Sequence, residues 1–574
     1  MTPSTSPPIV EEPLWFSTSE HPLFGWLTRP TGPLARGGVV LAPPIGREAH
    51  ASRYALRRLA TALAEHGFVA LRFDYYGTGD SVGDMNDVEL DTTWQGNVVS
   101  AVELLRSFGL SSISAVGLRL GATVLGVAAS EKSLGLSSLV LWDPCISGRS
   151  FLREAKALEA IRRKRIPGGT DEAQTTAEFI LTPARSAELG RLNLTKSKGK
   201  VADRVLVVTR DDRNVLDGLR SRLDEENVEW RHTFEQQGLL DVAPLFAEMP
   251  RATINQIVRW LGETESTTTM FEVGDIATGV VLPEGHGAYA VREQCLDVGP
   301  QHLFAILSEP VVDAKGPLVI LVNVANEDHT GPMRLWVDLS RRWASFGIRC
   351  VRFDLLGIGA SPWSGEGRNI IYKPSWPSDA ECIARSLSPD DPSNVVFVSL
   401  CSGVYVALEG ALALGARGVC AVNPPVGIDS IRFIVRITSS RRRLVRTMGE
   451  GFMWLLLHLR WLMAASWHFI RVVLPEEYSI DLLSEVARSG TDLLVIASKE
   501  DISPFPRVPV LRSIDRRRIV APTNYHVEFL PDLDHTLHAV FGRARTVERL
   551  DEYMMERYCP MTPTSECDDN LEAT

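Results

Sequence analysis

Short apolar runs and helical apolar stripes alternate along this chain. GGVVLA before a Pro/Gly loop (37–46), FVALRF (Phe68–Phe73) and SSLVLW (137–142) are almost unbroken in apolar residues, the pattern of strands buried on both faces. A strand-like stretch at 24–28 precedes them. In between, apolar positions recur every three to four residues at 54–66 and at 94–107, as in helices with one buried stripe. Strand and helix in alternation predict an α/β fold: a mostly parallel sheet with helices on both faces.

The same order returns in the second half. HLFAILSEP (302–310) answers the opening strand, and GPLVILVNVANEDHTGP (316–332) answers the Pro/Gly-loop strand. IRCVRFDLLGIGASP (348–362) matches FVALRFDYYGTGDS (68–81), SNVVFVSLCSGVYVALEGAL (393–412) matches SSISAVGLRLGATVLGVAAS (111–130), and GVCAVNPPVG matches LSSLVLWDPCISG. Five elements recurring in one order predict a tandem duplication rather than a solenoid of short repeats. The expected domains are 1–265, with a helical insertion at about 150–200, and 275–560, with one at about 428–484. Each insertion precedes a last pair of strands: 204–212 and 228–234, then 491–501 and 526–535. The acidic, polar tail 561–574 is expected to be disordered.

Composition narrows the field. Of the 574 residues, 45% are hydrophobic and 23% charged, as in ordinary globular protein. The net charge of -11 argues against a general nucleic-acid binder, which needs a basic face. Eight scattered cysteines form no CxxC pair and no Cys/His spacing suited to zinc. Neither metal nor cofactor is expected, and a reducing cytoplasm suits such thiols. The N-terminus has no basic segment leading an apolar one, so no secretory signal is expected.

Each half carries a strand followed by a DxxGxG turn (74–79 and 354–359), then a strand–turn–helix built around small residues. These motifs resemble the α/β-hydrolase superfamily over nearly the whole chain. The resemblance implies a nucleophile at the centre of each strained elbow, with the following backbone N–H helping to stabilise an oxyanion. In the first half the elbow reads Gly117-Leu118-Arg119-Leu120-Gly121. A guanidinium is no acyl nucleophile. Asp211 or Asp212 fills the acid position, the stretch 234–242 contains no His, and His232 reads as an ordinary strand residue. This half is expected to be degenerate, with Arg119 either binding an anion or, as the plainer expectation, held in an internal salt bridge.

The second elbow reads Ser399-Leu400-Cys401-Ser402-Gly403. Cysteine at its centre is similar to family members that handle acyl thioesters or activated lactones. The family's chain order, nucleophile then acid then His, assigns Cys401, Asp501 and His535. Alternatives stay open at this point: a buried inert thiol at 401, the Ser402 hydroxyl as nucleophile, Glu500 as acid, and Asp532, Asp534 or His538 near the base. The resemblance places oxyanion donors at Ser402 and in the loop near Ala325 or Asn326. His329 in that loop is expected to line the pocket.

The second insertion carries Arg432, Arg436, Arg441, Arg442, Arg443 and Arg446, then a long apolar run at 451–474. His458, Arg460 and His468 interrupt the run, and it lies between two strands of one sheet, so a lid is expected rather than a membrane span. The arginine cluster reads either as a solvated face or, through Arg441, Arg442 and Arg443, as a grip on a carrier's phosphate. The expected activity is acyl transfer or hydrolysis on an acyl thioester, borne by CoA or an acyl carrier protein. A small-molecule esterase or peptidase, or a non-catalytic scaffold, are the other classes. General motifs are also similar to hydrolases of bacterial biosynthetic and polysaccharide gene clusters.

Overall fold

The computed structural model describes residues 8–17, 20–87, 93–163, 181–210, 217–224, 226–263, 268–282, 287–314, 316–363, 372–425, 482–498, 523–530, 533–535, 537 and 540–559. The chain folds as two large, mostly parallel sheets flanked by helices. In the first half the strands are β1 (Ile9–Phe16), β2 (Leu23–Pro30), β3 (Leu34–Ala35), β4 (Gly37–Ala42), β5 (Phe68–Phe73), β6 (Ile113–Leu118), β7 (Ser138–Trp142), β8 (Arg204–Arg210) and β9 (Val228–Thr233). Next come β10 (Thr269–Met270), β11 (Gly279–Leu282), β12 (Val291–Val298), β13 (Leu303–Pro310), β14 (Leu318–Leu321), β15 (Cys350–Phe353), β16 (Val395–Leu400), β17 (Gly418–Val422), β18 (Asp492–Ser498) and β19 (Tyr525–Leu530).

The first sheet runs β1-β2-β5-β4-β6-β7-β8-β9 and the second β11-β12-β13-β15-β14-β16-β17-β18-β19, while β3 pairs with β10. From β5 to β9, and from β15 to β19, every pairing is parallel; the leading strands pair antiparallel. Strands β1, β11 and β12 were not foreseen. Their sequences (IVEEPLWF, GVVL, VREQCLDV) are short or mix charge into apolar positions, as antiparallel strands near a sheet margin can.

Side-chain alternation assigns the helices to faces. In the first sheet, Val39, Leu41, Val116 and Val140 pack against helices Arg47–Glu65 and Arg251–Gly262. Val40, Ala115, Leu139 and Leu141 face the opposite way, toward helices Trp94–Ser107 and Leu120–Glu131. The second sheet repeats this. Val319, Leu321, Val396 and Val398 meet helices Leu335–Ser345 and Val540–Tyr558, and Ile320, Phe397 and Val419 meet Trp376–Leu387 and Gly403–Leu414. The first helix begins at Arg47, earlier than its apolar stripe suggests. The first insertion contributes helices Gly148–Arg163 and Pro183–Arg191. Most of the second insertion, 426–481, lies outside the described residues, as does the tail. Among the described residues, no helix is long and apolar enough to cross a membrane.

The halves meet through their DxxGxG turns, and the contact is reciprocal. Arg57 pairs with Glu11, which also pairs with Arg72, and Arg57 donates to the carbonyls of Gly359 and Ala360. Symmetrically, Arg341 pairs with Glu293, which also pairs with Arg352, and Arg341 donates to the carbonyls of Asp80 and Ser81. Each patch thus serves as the other's partner, the logic of an isologous interface. The symmetry is not complete: buried Asp80 accepts from Arg352 and from His329 Nε2, the latter at 2.8 Å.

Candidate active site

Cys401 directly follows β16, with Ser402 between it and helix Gly403–Leu414, and its φ is +50°. Non-glycine residues rarely adopt this conformation, and it costs about 1–3 kcal/mol that surrounding structure must offset. Here Cys401 N–H donates to Val422 O at 2.9 Å, tying the elbow to β17. Gly403 permits the tight turn: a Cβ there would lie 2.3 Å from Asn323 O. The first elbow has the same build. Arg119 has φ +55°, its N–H donates to Trp142 O at 3.0 Å, and a Cβ on Gly121 would lie 2.3 Å from Pro43 O.

At the second elbow, Cys401 Sγ lies 3.0 Å from His535 Nε2. His535 sits in the segment after β19, and Asn423 holds that segment. The Asn423 side chain donates to the carbonyls of Asp534 and His535, both at 3.1 Å, and accepts from Ser498 N–H at 2.8 Å. It therefore ties the imidazole's backbone to the end of β18. Its importance was not read from the sequence, where Asn423 is one residue of a Pro-containing loop. Asp501, Glu500, Asp532 and His538 lie outside the described residues, as do Arg441, Arg442 and Arg443.

Two of the three oxyanion candidates, Ser402 and Ala325, are joined at the elbow. Ala325 has φ +50° and its N–H donates to Ser402 Oγ at 2.7 Å. That bond joins the loop after β14 to the residue following Cys401. Asn326 is nearly buried, and its carbonyl accepts from Arg53 at 2.6 Å and Tyr54 OH at 3.1 Å. His329, expected to line the pocket, is placed elsewhere. It is buried between Asp354 and Asp80, each 2.8 Å from a ring nitrogen. Burial alone would lower its pKa, but the two carboxylates hold it well above the usual histidine value. It lies in the interface between the halves, bridging the two carboxylates.

The first elbow holds ionic pairs where a nucleophile would stand. Arg119 is buried; it donates to Glu48 at 2.8 Å and Glu154 at 2.9 Å and lies 3.6 Å from Asp143. Beyond it, Asp241 receives a bidentate pair from Arg210. After β9, Gln236 accepts from Trp142 Nε1 at 2.8 Å, and His232 lies on β9, 3.1 Å from Thr209 Oγ1. Arg119→Met would leave carboxylates facing one another. Because Glu48 and Glu154 keep some water contact, the expected loss is near the low end for a broken buried pair, about 3 kcal/mol. Denaturant midpoints would report it, while the iodoacetamide labelling rate of Cys401 stays at the wild-type value. A slowed labelling rate in folded protein would give Arg119 a part in the second site.

No protein-family model and no curated protein matches this chain. Solved structures do. Est1E from Butyrivibrio proteoclasticus, bound to ferulic acid, is 15% identical over 44% of this chain and 100% of its own, with TM-score 0.34. An esterase from Pyrococcus furiosus is 16% identical over 45% of this chain and 94% of its own, with TM-score 0.31. An α/β serine hydrolase without a lid, from Xanthomonas campestris, is 17% identical over 48% of this chain and 97% of its own, with TM-score 0.28. The fold itself is described by this chain's own two large, mostly parallel sheets flanked by helices.

Proposed function

We propose that the second half forms an acyl-enzyme on Cys401, and that the two halves are duplicated domains spanning about 1–265 and 275–560. The observation that carries the reading is the 3.0 Å approach of His535 Nε2 to Cys401 Sγ at a positive-φ elbow. In the forward step the thiol proton passes to Nε2 and sulfur attacks the acyl carbonyl carbon. The carbonyl electron pair moves to oxygen, which accepts from Ser402 N–H and from Ala325 N–H, taking the latter over from the Ser402 hydroxyl. Collapse expels the leaving thiol or alcohol, which takes its proton from Nε2. Water, an alcohol or an amine then releases the acyl group by the reverse sequence. Asp501 is the proposed orienting acid.

A thioester donor suits a cysteine nucleophile because exchange of one thioester for another is nearly balanced in energy. The insertion's arginines extend the proposal to a phosphate-bearing carrier, CoA or an acyl carrier protein, in a cytoplasmic setting. Intact-mass measurement after incubation with acyl-CoA, the same acyl group on a simple thiol, and an activated oxygen ester tests this. One acyl adduct per chain is expected, forming fastest from CoA. Neutralising Arg441, Arg442 and Arg443 together, or raising salt, should erase that preference through weaker binding. Equal use of CoA and simple thiol donors would remove the phosphate role and leave an esterase. Absence of any adduct would favour a scaffold.

A further inference from the structure

The loop after β14 carries Ala325, and first-half side chains hold that loop at three successive places. Arg53 and Tyr54, on helix Arg47–Glu65, both donate to the carbonyl of Asn326, the residue after Ala325. Arg53 also pairs with Asp328 at 3.0 Å, and its guanidinium lies over the Tyr54 ring. The Tyr54 hydroxyl is fixed in turn, accepting Gly359 N–H at 3.1 Å. One residue beyond Asp328, His329 bridges second-half Asp354 and first-half Asp80. Within the second half the loop has further ties, from Asn323 Nδ2 to Glu327 O at 3.0 Å and from His329 N–H to Asp354 at 2.7 Å.

This arrangement spends several buried polar groups on the backbone path of one short loop. Ala325 needs such restraint, since its positive φ is disfavoured for a residue with a side chain. An oxyanion donor stabilises charge only if it is already aimed when the charge develops. We propose that the first half, lacking a nucleophile of its own, acts in cis as the positioning element for the second site. Arg53, Tyr54 and Asp80 set the Asn323–Gly331 loop so that Ala325 N–H points beside Cys401. These are positioning residues, acting through the loop and not on the substrate. The inference rests on the acyl-enzyme reading of Cys401.

Two reactions of the same thiol separate positioning from general damage. Acylation by an activated ester passes through a tetrahedral oxyanion, whereas alkylation by iodoacetamide is a displacement at carbon that develops no such oxyanion. Both rates are to be measured at Cys401 by intact mass and peptide mapping in wild type, Arg53→Met, Tyr54→Phe and Asp80→Asn. The expected result is a fall in acylation of about 10-fold or more in Arg53→Met, since a donor displaced by an ångström can cost about 100-fold. A smaller fall is expected in Tyr54→Phe, with alkylation within about twofold of wild type throughout. In turnover the loss should fall on kcat, with KM little changed. Arg53→Lys, which keeps a cation near Asp328 and Asn326, should recover part of the acylation rate. Wild-type rates of acylation in all three variants would overturn the positioning role alone. Equal falls in both reactions would mark a structural role and overturn it too. A wild-type Cys401 that alkylates but does not acylate would instead overturn the acyl-enzyme reading.

Discussion

Cys401→Ala will give no acyl adduct and no turnover, His535→Ala will acylate about 10²–10⁴-fold more slowly than wild type, and Ser402→Ala will still form its adduct. The first follows because the sulfur is the proposed bond-forming atom. The magnitude for His535 is that of a general base removed from a step it assists. Ser402 differs: its hydroxyl accepts from Ala325 N–H at 2.7 Å, whereas its backbone N–H, retained in alanine, is the proposed donor. An adduct surviving in Cys401→Ala, mapped to Ser402, would move the nucleophile by one residue and discard the 3.0 Å pair as the reactive one.

Much of this was legible locally. The strands from β4 to β8 and from β14 to β18 are nearly continuous apolar runs, because both faces of each are covered by helices. Both elbows stood out as small residues between such a run and an apolar helix. His535 was proposed from the chain order that the resemblance implies, and its Nε2 lies 3.0 Å from Cys401 Sγ. What escaped were contacts between residues far apart in sequence. His329 joins Asp80 and Arg352 joins Asp80 across roughly half the chain, and no local pattern distinguishes His329 from a solvated loop histidine. Tyr54 opened the predicted helix and Arg53 lay just before it; only the docked second half shows them on Asn326. Asn423 was hidden for a related reason, since its value lies in linking β18 to the His535 segment, two elements that meet only when the sheet forms.

The other large effect lies at that reciprocal interface. Arg352→Met should lower stability by about 3–5 kcal/mol, the cost of taking one partner from a buried ion network. Arg352 is fully buried and shares Asp80 and Glu293, whose side chains are equally enclosed. Its removal leaves Glu293 with Arg341 and Asp80 with His329, each short of one charge-assisted bond. Arg292→Ala is the contrast: Arg292 is half exposed and 3.9 Å from Glu309, so a change under about 1 kcal/mol is expected. The pH dependence follows from the same groups. Burial would raise the Glu293 pKa, but Arg341 and Arg352 hold it down, to about 2, against an ordinary 4.5. A depressed folded pKa means its contribution is present above about pH 4.5 and is lost as pH falls toward 2. His329, held well above 6.5, contributes fully below that pH and loses its contribution only as pH rises far past it. Asp74 opposes this: burial first, then the Asp80 charge, raise it from 3.8 to about 7, so its term weakens the fold as pH climbs between those values. Wild type should therefore fail on the acid side as Glu293 protonates. In Arg352→Met, with one fewer cation holding Glu293 ionised, the folded pKa lies nearer 4.5, so that loss is smaller and is complete at a higher pH. Urea midpoints for wild type, Arg352→Met and Arg292→Ala at pH 7 and pH 4 decide the matter. Equal shifts for the buried and exposed arginines would show that the interface admits water and that its ion pairs behave as surface pairs.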